Sequence, residues 1–265
     1  SREIAGCVLR SVRRRHGSML NTDKAWRKWG VDDPYFGVLA DDRFATARIA
    51  DSRDEFFATG RGFVDWLLNR AERQYGPVSR GRALDHGCGV GRLTLPLAQA
   101  FNSVVALDVA PAMVDEATAN ATRAGNANIR FAAADDYLSQ ADGQFDLVNS
   151  HLVLQHIPVH RGMILLDALI DRVASGGLFH ISLSMRTDRG PARWLYWASA
   201  NIPGVKYWQN ICAGRAWNAP AMQMNDYPLG QVIARLAQRS ITDLLVTTHA
   251  ESRFASCSLV GRAPA

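Results

Sequence analysis

From Ala83 onward, short apolar runs alternate with longer segments whose apolar residues recur every three to four positions. Short runs bounded by turn residues read as buried strands, and the longer periodic segments read as helices. The pattern predicts strands at 82–85, 104–108, 129–132, 145–150, 178–183, 241–248 and 254–260, with helices at 93–101, 112–124, 161–173 and 229–239. Such alternation signals a parallel sheet with crossover helices. The last two strands are joined only by Ala250–Arg253, which leaves no room for a crossover helix, so they are expected to pair antiparallel.

Two stretches lie outside the alternation. Residues 1–75 have a helical pattern anchored by Trp26, Trp29, Phe56, Phe63 and Trp66, and are expected to form an N-terminal cap. Residues 76–265 then form the ligand-binding domain, within which 186–228 is an insertion rich in Trp and Tyr. Both stretches are expected over the carboxyl ends of the strands, where open α/β sheets bind ligands.

Composition adds little: 48% apolar and 21% charged residues describe an ordinary globular chain. The net charge of +5 is small and partly concentrated in Arg10, Arg13, Arg14 and Arg15, which read as a solvated helix face rather than a nucleic-acid surface. Cys7, Cys88, Cys212 and Cys257 lack the paired spacing of zinc or redox motifs and fit free thiols in a reducing cytoplasm. No apolar run is long enough for a membrane-spanning helix. The chain opens at Ser1 rather than at a methionine, so further residues are expected upstream.

The candidate chemistry begins where the first strand ends. Asp85 runs into His86, Gly87, Cys88, Gly89, Val90 and Gly91, and a helix follows. Glycines after a strand let the backbone approach a ligand closely. A dinucleotide fingerprint would place its third glycine at position 92, which is Arg92 here, so the spacing departs from that pattern. Asp85 beside the loop would repel a pyrophosphate and favour a cationic sulfonium and amino group. Asp108, closing the second strand, is placed to accept both hydroxyls of a ribose, or else to cap the turn before Pro111.

In the stretches ALDHGCGVGRLT (83–94), VVALDVAPAMVDEA (104–117), NIRFAAADDYL (128–138), FDLVNSHLVLQHIP (145–158) and RVASGGLFHISL (172–183), the sequence resembles class I S-adenosylmethionine-dependent methyltransferases. Their order and spacing match over roughly 100 residues. The resemblance implies a Rossmann-like seven-stranded α/β sheet of order 3-2-1-4-5-7-6 with strand 7 antiparallel. It also implies S-adenosylmethionine as methyl donor and S-adenosylhomocysteine as product. Carried over by position, Gly87, Gly89 and Gly91 would line the methionine and ribose portions, Asp85 would favour the amino group, and Asp108 would hold the ribose. Asp135 and Asp136 would meet the adenine amine or cap the next turn, and Met113 would pack on the adenine face or serve as helix core. His151 is assigned to the cofactor pocket or the acceptor.

On the acceptor side, in-line transfer to a hydroxyl needs a base, whereas a neutral amine attacks directly. The segment after the fourth strand holds His151, His156 and His160; His156 is the candidate base, or a structural histidine at a helix start. His86 and His180 are given structural roles. Tyr35, Tyr207, Trp208, Trp217 and Tyr227 are candidate substrate-pocket residues. The segment also resembles quinone-biosynthesis O-methyltransferases, but Leu152 and Gln155 stand where a Glu-x-x-Glu-His metal pattern has its carboxylates, so no metal is expected. The expected partner is a small-molecule acceptor. An RNA methyltransferase and a non-catalytic S-adenosylmethionine-binding regulator are the alternatives.

Overall fold

The computed structural model describes residues 22–187, 222–251 and 254–265, together with Gly204, Val205, Trp208 and Cys212. Expectations for Arg10 to Arg15, Tyr207 and Trp217 fall outside the described residues. The chain divides into two units, and the unit described here is Thr22–Asp188 with Pro220–Ala265. It opens with helices α1 (Thr22–Asp32), α2 (Pro34–Leu39) and α3 (Ile49–Tyr75). The alternating part runs β1 (Arg82–His86), α4 (Thr94–Ala100), β2 (Ser103–Asp108), α5 (Pro111–Arg123), β3 (Ile129–Ala133), β4 (Phe145–Ser150), α6 (Val159–Asp171), β5 (Val173–Thr187), α7 (Leu229–Gln238), β6 (Leu244–Glu251) and β7 (Phe254–Arg262).

The seven strands are ordered β3-β2-β1-β4-β5-β7-β6, parallel except for β7, which is antiparallel to both neighbours. The expected order and hairpin are therefore present. Strand starts differ by more than one residue in two places. The fifth strand begins at Val173, because Phe145 pairs with Val173 before the register shifts to Leu147 opposite Leu178. The sixth begins at Leu244, because Ile241 turns back onto α7 with its N–H donating to the Leu236 carbonyl.

Strand alternation splits the core into two layers. Leu84, Val148 and Phe179 pack with α6 and α7, while Ala83, Leu147 and Leu178 pack with Val64, Leu67 and Leu68 of α3 and Leu97 of α4. In α3 the buried positions Phe56, Gly60, Val64, Leu67 and Ala71 recur every three to four residues, so one stripe of the helix lies on the sheet. No described helix is long and apolar enough to cross a membrane. The strand order reverses between β1, whose other neighbour is β2, and β4. Crossovers leave in opposite directions on either side of that point, which opens a crevice at the strand ends.

Candidate functional site

That crevice is a cavity of about 1000 Å³ including its open mouth, large enough for a nucleoside-sized ligand. It is lined by the loop after β1, the ends of β2 and β4, the turn after β3, and Thr22, Trp26, Gly37 and Val38 of the N-terminal helices. Of the expected residues, Asp85, Gly87, Gly89, Asp108, Met113, Asp135, Asp136, His151 and His156 all line it.

The loop is built on positive φ angles at Gly87 (72°), Gly89 (52°) and Gly91 (90°). The Gly87 and Cys88 N–H groups both donate to the Leu107 carbonyl, tying the loop to β2. A Cβ on Gly87 would lie 2.2 Å from Val153, and one on Gly89 would lie 2.6 Å from Val38. Gly91 does not line the cavity; its N–H donates to the Cys88 carbonyl, and a Cβ added to it would face Ala117 of α5 at 3.6 Å. That corrects its expected role: the third glycine serves the turn and helix packing rather than the ligand.

Asp108 is half-buried at the cavity and accepts the Gly89 N–H on one oxygen and the Ala110 N–H on the other, each at 2.9 Å. The turn role is present: the carboxylate braces the turn before α5, and the residue also lines the cavity. Burial pushes its pKa up to about 6 against those hydrogen bonds. A carboxylate whose folded pKa exceeds its unfolded value costs stability as pH rises from about 4 to 6. Donor hydroxyls of a ligand would offset that cost, so ligand affinity should favour the ionised form. S-adenosylhomocysteine affinity should therefore weaken roughly tenfold between pH 7 and pH 5; a flat calorimetric profile would remove Asp108 from the ligand contacts.

Asp85 is buried and accepts from Thr94 Oγ1 at 2.6 Å and Asn149 Nδ2 at 2.7 Å. Burial raises its pKa, opposed by those two bonds and by Arg92. Asp135 caps its own turn, accepting from the Tyr137 and Ser139 N–H groups. Asp136 takes both oxygens to Arg161 Nε at 2.6 Å, and Arg161 also donates to Asp23, which fastens α1 to α6 and to the turn after β3. Met113 is buried against Gly30 and Gly37 as part of the core and also lines the cavity. Acidic side chains along the cavity outnumber basic ones five to two, an environment that favours a cationic ligand over a pyrophosphate.

His156 is held at both ring nitrogens: Nδ1 lies 2.7 Å from the Gln223 carbonyl, and the Gln155 amide lies 3.4 Å from Nε2. Trp26 meets its ring edge-on at 4.8 Å, and Thr22 Oγ1 donates to its carbonyl. Burial lowers its pKa to about 4. Two expected substrate residues are corrected outright. Tyr35 is buried among Phe44, Phe56 and Met113 with its hydroxyl donating to Glu116 at 2.6 Å, and Tyr227 is wedged against Gly162 with its hydroxyl donating to the Ile157 carbonyl. Neither lines the cavity. Each is a large side chain whose polar tip found a buried partner. Trp208 is exposed.

Residues the sequence did not single out include Val153, which fills the space above Gly87, and Arg92, buried along the cavity with one 3.4 Å bond to Thr59. Among the described residues, no group of three or more His, Cys, Asp or Glu is placed to hold a metal ion.

Residues 83–177 match the family model of a methyltransferase domain. That match makes residues 83–177 a methyltransferase domain. It is 31% identical over 125 residues to a ubiquinone biosynthesis O-methyltransferase of Xylella fastidiosa, covering 47% of this chain and 48% of that one. It is 44% identical over 93 residues to the 23S rRNA (uracil(1939)-C(5))-methyltransferase RlmD of Alkalilimnicola ehrlichii, covering 33% and 20% respectively. The chain thus spans about half the length, or less, of these curated relatives. The fold is shared with magnesium protoporphyrin IX methyltransferase of Synechocystis PCC 6803, solved with bound S-adenosylmethionine, at a TM-score of 0.58 and 18% identity, over 93% of this chain and 99% of that one.

Proposed function

We propose that this methyltransferase domain binds S-adenosylmethionine in the cavity and delivers its methyl group in line to a hydroxyl or amine of a small molecule. The observation that carries the reading is the meeting of three parts at the β1–β4 switch point: the glycine turns at Gly87 and Gly89, the half-buried Asp108, and a predominantly acidic lining. Bound S-adenosylmethionine supplies an electrophilic methyl carbon on a sulfonium. Asp108 would accept the ribose hydroxyls, Asp85 and its neighbours would favour the positive charge, Asp135 or Asp136 would face the adenine, and Met113 would pack on its ring. The N-terminal helices exclude water from the donor side through Trp26, Val38 and the Asp23–Arg161 pair.

A small acceptor suits the acidic lining, which would repel a phosphate backbone. The rRNA-methylating relatives favour RNA as the second reading. Selection of the acceptor by residues 186–228 and action in the cytoplasm are parts of the same proposal. Incubating the protein with methyl-labelled S-adenosylmethionine and either metabolite extract or total RNA tests it. Label is expected in a small, nuclease-resistant product. Label confined to RNA would replace the acceptor class, and tight binding with no transfer to either would favour a regulatory binding protein.

A further inference from the structure

One corner of the cavity holds polar atoms that the fold leaves unmatched. Among the described residues, five buried side-chain nitrogens lack a hydrogen-bond partner, and three of them, Arg92 Nε, His151 Nδ1 and His180 Nε2, belong to side chains gathered along one face of α3. Thr59 Oγ1 accepts from Arg92 Nη1 at 3.4 Å, and one turn further along the helix the Phe63 ring packs on His151 at 4.1 Å and on His180 at 5.3 Å. Residues four apart share a helix face, so Arg92 and His151 rest on neighbouring turns of the same surface. Both line the cavity.

Arg92 is the charged member of the group. It is only 5% exposed, and burial lowers its pKa to about 10, so it stays a cation at neutral pH. Its main chain and Cγ pack against Gly60 of α3, so backbone packing rather than a counter-ion sets its position. Asp85 acts on it through space, but the Asp85 oxygens accept from Thr94 and Asn149. Arg161, the other arginine on the lining, is instead paired with both Asp136 and Asp23. A buried guanidinium with one long hydrogen bond costs free energy unless a partner supplies acceptors.

We infer that the methyl acceptor carries a carboxylate, separate from the group that is methylated, and that Arg92 receives it in the corner of the cavity against α3. This rests on the methyltransferase reading above. A guanidinium presents paired N–H groups that match the two oxygens of a carboxylate, and that match would give the Nε–H its missing acceptor. The donor's amino-acid part carries a carboxylate too, but the unmatched nitrogens extend away from the donor's end of the cavity. The nucleoside groups proposed above, Asp108, Met113 and Asp135, belong to β2, α5 and the turn after β3, whereas His151 follows β4 and His180 lies in β5. That is the side left for a second molecule. The acids Asp108, Asp135 and Asp136 line the donor side, so the predominantly acidic cavity still has a cationic corner at Arg92.

The test uses the full chain with methyl-labelled S-adenosylmethionine and metabolite extract. The labelled product should be retained by an anion exchanger at pH 7 and lose that retention once its carboxylates are amidated. A product that is not retained, or is retained unchanged after amidation, would overturn the proposal. With that acceptor purified, Arg92→Met should raise its KM about 30-fold while kcat falls less than about threefold, and Arg92→Lys should lie between that variant and the parent. S-adenosylhomocysteine affinity should stay within about threefold in both variants. A ligand lacking the donor's amino-acid part, 5′-methylthioadenosine, separates the two sources of a carboxylate. If Arg92→Met loses affinity for S-adenosylhomocysteine but not for 5′-methylthioadenosine, Arg92 serves the donor's own carboxylate and the proposal falls. An unchanged acceptor KM in folded Arg92→Met would also overturn it; should that variant unfold, the Arg92→Lys KM and the charge of the product decide. Failure of the parent to bind S-adenosylhomocysteine, or to label any small molecule, would instead strike the methyltransferase reading.

Discussion

Gly60→Ala is expected to lower the melting temperature by roughly 6–12 °C, the equivalent of about 3 kcal/mol in a chain of this size. Gly60 sits in the middle of α3, where a Cβ would lie 2.1 Å from the Arg92 carbonyl oxygen and 2.9 Å from its carbon. Both are main-chain atoms just after the glycine loop, so no rotamer change relieves the contact. Either α3 moves off the sheet or the loop moves into the cavity. Gly62, two positions along the same helix, has nothing within 4 Å of its added Cβ. Gly62→Ala should be neutral or stabilising by up to about 1 kcal/mol, since alanine is the better helix former. Calorimetric scans of both variants check the pair; a Gly60→Ala melting point within 2 °C of the parent would contradict the close approach of helix and loop.

That contact also marks the limit of what the sequence discloses. The sheet was legible because buried parallel strands leave apolar runs at regular intervals and the last linker is too short for a crossover. Gly87, Gly89 and Asp108 were legible because local spacing alone places them at strand ends. Gly60 was not, since a glycine inside a helical pattern shows no partner, and its partner Arg92 lies far along the chain. Tyr35 and Tyr227 looked like pocket aromatics for the same reason: the groups that receive their hydroxyls, Glu116 and the Ile157 carbonyl, lie 81 and 70 residues away. His151 and His156 share one segment and one residue type, so only three-dimensional hydrogen bonding separates the engaged imidazole from the one with an unpaired nitrogen.

Asp108→Ala should weaken cofactor binding by about 2–4 kcal/mol, a loss of roughly 30- to 700-fold, because ribose hydroxyls would be desolvated without an acceptor. The same substitution leaves the Gly89 and Ala110 N–H groups without their acceptor, so part of the loss would come through the loop. Asp108→Asn separates the contributions: it retains the shape and one acceptor oxygen while removing the charge, and should fall between the parent and Asp108→Ala. Titration calorimetry of S-adenosylmethionine against the folded parent and Asp108→Ala is the most direct measurement of whether this cavity is the methyl-donor site. The account predicts clear binding by the parent and at least a 30-fold loss in the variant; equal affinity in the two, or no binding by the folded parent, would contradict it.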